Sequence, residues 1–414
     1  MSVAVIGSGG REHAISWAIS KSISKIFIIP GNAGTSQIGE NVNINPLDFQ
    51  NLLNFLKKNN INEVIVGPEN PIAEGIKNVL EKENIKVFAP SKEASILEAS
   101  KTWARIFMKK YQIPHPNFEY FSNFEKAISS LKNKKFPIVI KADGLCGGKG
   151  TFIAKNKKEA ENIIEELLKN KKFGKASEKI VIEEFLKGEE ISIFVVSDGK
   201  IWKYLGSARD YKRLLDGDKG PNTGGMGSFS PSPLAKGKIL EKIFEKIVEK
   251  TFYGLEKEGL KYEGVLYFGL MISEGEPYVL EYNVRLGDPE TQVILPLLET
   301  KFYEIVKSVF NKDLKSLEIK RKKAYAVDVV IASQGYPFKY EKNKEIKGLE
   351  KIKDVLVFHA GTKKENNKIL TTGGRVLNIV GISQNLKEAR EKVYKEIGKI
   401  YFEGMYYRKD IGIV

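Results

Sequence analysis

The chain holds a single cysteine, Cys146, so no disulfide can form within it and no cysteine-built zinc cage can assemble. A reducing cytoplasm is the expected setting. No run of about 18 apolar residues is present, which excludes a transmembrane helix on composition. Met1 to Gly7 pass directly into a strand pattern with no basic segment, apolar stretch and cleavage site, so export is not expected either. Internal repeats and low-complexity tracts are also missing, apart from enrichment in lysine and asparagine.

What is present is the balance of a soluble globular protein, 42% hydrophobic and 29% charged over 414 residues. That length exceeds the usual domain of roughly 100 to 200 residues and points to several compact units. Basic residues number 67 against 52 acidic ones, leaving +15. The lysines alternate with glutamates in stretches such as Lys155 to Lys175 and Lys236 to Lys261, the pattern of solvated helix faces. No basic stripe with interleaved aromatics appears, so nucleic acid is not an expected partner.

The first hundred residues alternate apolar runs (Val3 to Ile6, Ile26 to Ile29, Glu63 to Val66, Val87 to Ala89) with helical stretches from about Arg11 and near Phe49. This reads as an open parallel α/β sheet. Glycine turns follow three of the strands, at Gly7-Ser8-Gly9-Gly10, Pro30-Gly31-Asn32 and Gly67-Pro68-Glu69, on the edge where such sheets bind ligands. A helix over Lys92 to Tyr111 bridges to a second unit and ends at Ile113-Pro114-His115-Pro116. From Phe136 to about Asn311 the pattern is antiparallel sheet with helices, including turns at Ser197-Asp198-Gly199-Lys200 and Glu274-Gly275. A last segment begins near Lys320, with strands at Ala326 to Ala332, Leu356 to His359 and Arg375 to Ile379 and a helix over Leu386 to Ile400.

The first glycine cluster lacks the third glycine of a dinucleotide fingerprint, where Glu12 stands. It reads either as a tight turn alone or as a seat for one phosphate beside Arg11. The second, Lys141 to Gly150, has three residues between Gly144 and Gly148-Lys149 and so fails as a Walker loop. A flexible hairpin over a triphosphate, with Lys141 and Lys149 as point charges, meets the same electrostatic need. Ile180 to Leu186, then Glu189-Glu190, is an apolar strand ending in carboxylates, either exposed strand-end charge or an adenine slot with acceptors for ribose.

Val279 to Arg285 is the sharpest piece. In a strand, Glu281 and Asn283 face the same way about 7 Å apart, and a carboxylate with an amide oxygen is the usual protein share of a nucleotide-bound magnesium site. Arg285 shares that face and is placed to hold a phosphoryl group. Asp288-Pro289-Glu290 has the form of an N-terminal cap on a long helix, or Asp288 touches a substrate amine. Ser207 to Gly227, with Asp210 and Lys212, reads as a long glycine-rich loop, either binding or floppy.

Taken in order, Gly-Gly-Arg-Glu-His from Gly9, Pro-Gly-Asn-Ala-Gly-Thr from Pro30, Val-Gly-Pro-Glu from Val66, Lys-Ala-Asp-Gly from Lys141, Gly-Pro-Asn-Thr-Gly-Gly-Met-Gly from Gly220, Gly-Asp-Pro-Glu-Thr-Gln from Gly287, His-Ala-Gly-Thr from His359 and Gly-Gly-Arg-Val from Gly373 resemble the phosphoribosylamine-glycine ligase family of the ATP-grasp superfamily. The resemblance spans nearly the whole chain. It implies an α/β and α+β multidomain fold: an N-terminal open parallel α/β sheet (1–100), an ATP-grasp domain (101–318) with a small lid at about 118–190, and a C-terminal mixed α/β domain (319–414). It also implies an ATP-dependent cytoplasmic enzyme, a monomer or weak homodimer, that joins glycine to 5-phosphoribosylamine through glycyl phosphate with Mg2+ or Mn2+.

Carried over by position, the resemblance makes Lys101, Lys141, Gly147, Gly148, Lys149 and Gly150 phosphate holders, Glu183, Glu184 and Leu186 the adenine slot, and Glu190 the ribose contact. Glu281 and Asn283 become metal ligands, and Gly9, Gly10, Arg11, Asn32 and Glu69 contacts of phosphoribosylamine. Asp210, Lys212, Arg285 and Asp288 fall near the transferred group and glycine. Relatives carry Gln-Asp-His where this chain has Arg209-Asp210-Tyr211, and Val265 to Ile272 lacks the acid that other ATP-grasp enzymes place there. Fewer protein ligands per metal are therefore expected.

Overall fold

A computed structural model describes residues 2–413 of the chain, so Met1 and Val414, the outer ends of the expected first and last domains, lie outside the described residues. Five parallel strands form the N-terminal sheet: β1 (Ser2–Gly7), β2 (Lys25–Pro30), β3 (Glu40–Asn41), β4 (Glu63–Val66) and β5 (Lys86–Phe88), in the order β3-β2-β1-β4-β5. The apolar runs are continuous because both faces are covered. Ala4 and Ile6 enter one core cluster and Val3 and Val5 another, all four fully buried.

The stretch expected as one helix over Lys92 to Tyr111 is two, Ile96–Ala99 and Lys101–Lys110. Ser100 breaks it by going extended and capping the second helix, its hydroxyl accepting from Trp103 N at 3.2 Å. The cap is tied to the next unit, since Asp143 accepts from Thr102 N at 2.6 Å.

That unit, over the stretch expected as the lid and called so below, has four antiparallel strands β6 (Phe118–Phe121), β7 (Ile138–Ala142), β8 (Thr151–Ala154) and β9 (Ile180–Glu184) in the order β6-β9-β7-β8. It has its own core around Ile140, Ile164, Leu167 and Ile182.

The body is one nine-stranded sheet. It contains β10 (Glu189–Asp198), β11 (Trp202–Asp210), β14 (Gly227–Ser230), β15 (Glu263–Ser273), β16 (Glu276–Asn283), β17 (Tyr325–Ser333), β18 (Leu356–His359), β21 (Arg375–Ser383) and β22 (Met405–Tyr406). Its order is β16-β15-β10-β11-β14-β17-β21-β18, with β22 on β17. Two short hairpins flank it, β12 (Arg213–Leu215) with β13 (Lys219–Asn222) and β19 (Thr362–Glu365) with β20 (Lys368–Thr371). The expected long loop over Ser207 to Gly227 is thus mostly strand and hairpin. Buried Arg408 holds it, donating to Arg213 O at 3.0 Å and Asp218 at 2.9 Å.

The ladder between β14 and β17 carries the sheet across position 319, where the resemblance implied a domain boundary. Phe229 on β14 is fully buried in the cluster formed by β17, β21 and the helix Leu386–Ile397. Phe229→Ala is expected to cost about 3–5 kcal/mol, as large-to-small aromatic changes in cores do. It should shift body and C-terminal unfolding together in denaturant titrations followed by circular dichroism and fluorescence; separate transitions would mean the two halves of the sheet are independent.

Candidate active site

Lid and body enclose a cavity of about 680 Å³, and a smaller one of about 280 Å³ opens between the N-terminal turns and the C-terminal loops. Of the residues singled out in the sequence, Glu69, Lys101, Lys141, Gly147, Gly148, Gly150, Glu183, Glu184, Leu186, Glu190, Asp210, Lys212, Glu281, Asn283, Arg285 and Asp288 line the first. Gly9, Asn32 and Asp288 line the second. Asp288 alone among them belongs to both walls.

The floor of the large cavity is a buried ion cluster. The Arg105 Nε lies 2.7 Å from one Glu183 oxygen and the Lys141 Nζ 2.9 Å from the other. Burial raises the Glu183 carboxyl, but Arg105 and Lys141 more than offset this and hold it at about 2. Glu183 therefore lines the cavity with its carboxylate already committed, beside the Glu184 to Leu186 segment on the same wall. Glu184 itself turns to solvent and accepts from Asn117 N at 2.8 Å. Lys101 Nζ donates to Gly144 O at 3.0 Å, at the root of the glycine hairpin. At the hairpin's tip Gly147 and Gly148 have φ of +56° and +76°, which favours glycine. Lys149 points away, donating to Pro337 O at 3.0 Å.

Opposite stand Lys212, 2.8 Å from Glu190 and 3.3 Å from Asp210, and the β16 pair. Burial works against the Lys212 ammonium, yet Asp210 and Glu190 hold its pKa well above the ordinary value. Glu281 and Asn283 share the cavity face, as their spacing predicts. Burial raises the Glu281 carboxyl, and Lys212, Lys141 and Lys101 together bring it below its ordinary range. Hence it is ionised at neutral pH. Asn283 Oδ1 accepts from Arg285 at 3.1 Å, while the buried Nδ2 has no partner. The donor set of carboxylate and amide oxygen fits a hard divalent cation such as Mg2+ or Mn2+. No cluster of three or more His, Cys, Asp or Glu with cation-holding geometry occurs among the described residues, so phosphate and water oxygens would complete the shell. On the neighbouring strand Gly269 faces Glu281, and a Cβ there would come within 3.0 Å of the Glu281 side chain.

Arg285 Nη2 pairs with Glu98 at 2.9 Å, and its Nε with Glu69 at 3.3 Å. Burial pushes Glu98 up to about 7, whereas Arg285 and Arg11 overcome the burial of Glu69 and hold it at about 2. Glu98 was not signalled by any motif. Glu290, also on the cavity wall, was visible only as the acid in Asp288-Pro289-Glu290; burial, with Asp210 nearby, pushes it up to about 7.

Two sequence expectations fail here for physical reasons. Asp288 does not cap a long helix. The helix is only Thr291–Ile294, followed by a tight turn containing Pro296, and the Asp288 carboxylate instead meets Arg375 at 3.2 Å and Gln292 at 2.8 Å. Arg11 and Gly10 are buried and line neither cavity. Glu12 folds back onto Gly9 N at 2.6 Å and takes Arg11 Nε at 2.6 Å, so the turn is already filled by the chain's own carboxylate. A Cβ at Gly67 would overlap that carboxylate. Asn32 shapes the small cavity as a strut, donating to Ser8 O at 2.9 Å and His359 O at 2.8 Å and accepting from Gly34 N and Thr35 N.

Facing Asn32 and Gly9 across the small cavity are Tyr336, Gly361, Thr362, Thr372 and Arg375. Arg375 also donates to Gly224 O at 2.6 Å and Asp288 O at 2.7 Å. Its guanidinium and the Thr362 and Thr372 hydroxyls give this cavity donors suited to an anionic, polyhydroxylated molecule. Most of these residues lie in the strings His359-Ala-Gly-Thr and Gly-Gly-Arg-Val, so the signal was present without an assigned role.

Because the folded-state value of Glu69 lies below the ordinary 4.5, it stabilises the fold above about that pH and loses its contribution as pH falls towards about 2. Glu69→Gln is therefore expected to lower the denaturant midpoint most near about pH 7 and progressively less towards about pH 3. A constant difference across that range would separate Glu69 from the Arg285 pair.

Compared with known proteins, residues 1–98, 99–291 and 326–414 match the N domain, the ATP-grasp (A) domain and the C domain of phosphoribosylglycinamide synthetase. The chain is 47% identical over 413 residues to a phosphoribosylamine–glycine ligase of Caldanaerobacter subterraneus subsp. tengcongensis, covering 99% of each. It is 44% identical to one of Fusobacterium nucleatum subsp. nucleatum, covering 100% of this chain and 98% of the other. A crystal structure of phosphoribosylamine–glycine ligase from Thermotoga maritima superposes with a TM-score of 0.88 at 40% identity, covering 99% of this chain and 100% of that one.

Proposed function

Since the chain belongs to the phosphoribosylglycinamide synthetase family, we propose that its two cavities carry out, in adjoining compartments, the two halves of an ATP-dependent ligation in purine biosynthesis. The observation that carries this reading is the place of Asp288 on both walls. In the large cavity the carboxylate of glycine attacks the γ-phosphorus of ATP and ADP leaves. The product is glycyl phosphate. In the small cavity the amine of 5-phosphoribosylamine attacks the acyl carbon, loses a proton, and phosphate departs to leave glycinamide ribonucleotide.

The chain's part is placement and charge. Lys141 and Lys101 with the backbone of Gly147 to Gly150 hold the phosphates, and the Glu184 to Leu186 segment and Glu190 hold the nucleoside. Arg285 and Lys212 meet charge developing on the transferred phosphoryl group. Glu281 and Asn283 would hold a divalent cation, which would supply charge neutralisation to the triphosphate. Arg375 and the threonine hydroxyls hold the sugar phosphate, and the Asp288 carboxylate accepts the amine proton at the boundary. Burial raises that carboxyl, but Arg375 and Arg11 keep it below its ordinary range, hence ionised. The enzyme is read as a cytoplasmic monomer or weak homodimer acting on small molecules. No helix among the described residues is long and apolar enough to cross a membrane.

Purified protein supplied with ATP, Mg2+, glycine and freshly made phosphoribosylamine is expected to release ADP only when both co-substrates are present. ADP release without that dependence, or none at all, would remove the reading. Glu281→Gln should abolish turnover while leaving the melting temperature unchanged. Asp288→Asn should keep nucleotide binding but slow ligation about 10²- to 10⁴-fold, the usual weight of a proton-transfer group; ligation near the wild-type rate would deny Asp288 that role.

A further inference from the structure

The face that Glu281 and Asn283 occupy is not the one the strand begins with. At the start of β16 the odd-numbered Pro277 and Val279 point into the core, Val279 fully buried. Strict alternation would carry Glu281 and Asn283 into that same core. Across the ladder the register slips by one: Leu270 opposes Val279, but Gly269 opposes Glu281. Leu280 is the extra residue of a β-bulge. From there Glu281 and Asn283 lie opposite Gly269 and Tyr267, which also line the large cavity.

The bulge is gripped. Successive carbonyls of a regular strand point in opposite directions, so one planar side chain cannot reach two of them; at a bulge it can. The Arg105 guanidinium, fixed on the helix Lys101–Lys110, donates through Nη1 to Val279 O and through Nη2 to Leu280 O, both at 2.8 Å, while its Nε binds Glu183. Lys141 Nζ donates to the same Leu280 carbonyl at 2.9 Å. Beside it Val279 N donates to Pro114 O at 2.8 Å. A bulged carbonyl released from the ladder is thus the shared acceptor of two buried cations, one from the helix Lys101–Lys110 and one from β7.

We infer that Arg105 is a positioning residue for the divalent cation: by clamping the Leu280 bulge it keeps Glu281 and Asn283 turned towards the nucleotide. This rests on the reading of that pair as metal ligands. No direct contact of Arg105 with nucleotide or metal is invoked; the guanidinium is spent on Glu183 and the two carbonyls. Lysine keeps the charge but not the planar fork, and so loses the fixed geometry that holds both carbonyls and Glu183 in one arrangement.

The test is calorimetric binding of a non-hydrolysable ATP analogue to the full chain, with and without Mg2+. In the wild type, Mg2+ should tighten binding, and Glu281→Gln should remove most of that enhancement. Arg105→Gln is expected to cut the enhancement at least about tenfold, and Arg105→Lys at least about threefold, with metal-free binding changed far less. Where Arg105→Gln does not fold, the lysine variant carries the test. Amide hydrogen exchange at Leu280 to Tyr282 should rise in the variant used. Enhancement equal to wild type in a folded Arg105 variant overturns the inference, as does an equal weakening with and without Mg2+. A wild type showing no enhancement, or Glu281→Gln indistinguishable from it, would instead fail the assignment of the metal pair.

Discussion

Charge removed from water must be paired, and the architecture of this protein around its large cavity follows from that requirement. Arg105 and Lys141 share Glu183, Arg285 stands between Glu98 and Glu69, Lys212 lies between Glu190 and Asp210, and Arg375 meets Asp288. Apart from Lys212 with Asp210, these pairs join elements distant in sequence, so pairing and tertiary placement are the same event. The cavity is therefore organised before any ligand arrives. A triphosphate entering it finds cations already aimed, and binding exchanges one anionic partner for another with little rearrangement of dipoles. The surplus of +15 plays little part in this; it lies largely in lysines on solvated faces.

The small cavity depends on a different economy, neutral and buried. His13 and His359 are pushed down by burial to about 3 and about 4, so both imidazoles stay uncharged at neutral pH. His13 Nδ1 can then accept from His359 N at 2.8 Å. With Asn32 donating to His359 O, this joins the first turns of the chain to a loop more than three hundred residues later. The cavity exists because those two ends meet.

Much of this was legible. Apolar runs located the parallel strands, glycine and proline marked the turns, and the spacing of Glu281 and Asn283 put them on one face. The failures share a cause. A bulge leaves no mark in composition, so nothing at Leu280 reveals that alternation from Val279 breaks before Glu281. The engagement of Glu183 by Arg105, 78 residues away, cannot be read along the chain. The retreat of Arg11 follows from Glu12 turning back on Gly9, which a glycine-rich turn with an acid three residues on could have suggested. Asp288-Pro289-Glu290 has the chemistry of a cap, but Arg375 outcompetes the backbone for its carboxylate.

The ladder between β14 and β17 bears on how such a protein can be recombined. A chimera spliced near residue 319 would have to match two half-sheets from different parents strand by strand, side chain by side chain. The lid offers cleaner joints. It has its own core, and the polypeptide enters it after Ile113 and leaves it before Glu189, so only two covalent crossings need grafting. Transplanting it would still succeed only from a donor whose strands bring their own counterparts of Lys141 and Glu183 to the host's Arg105, which makes that buried trio the compatibility key of the graft.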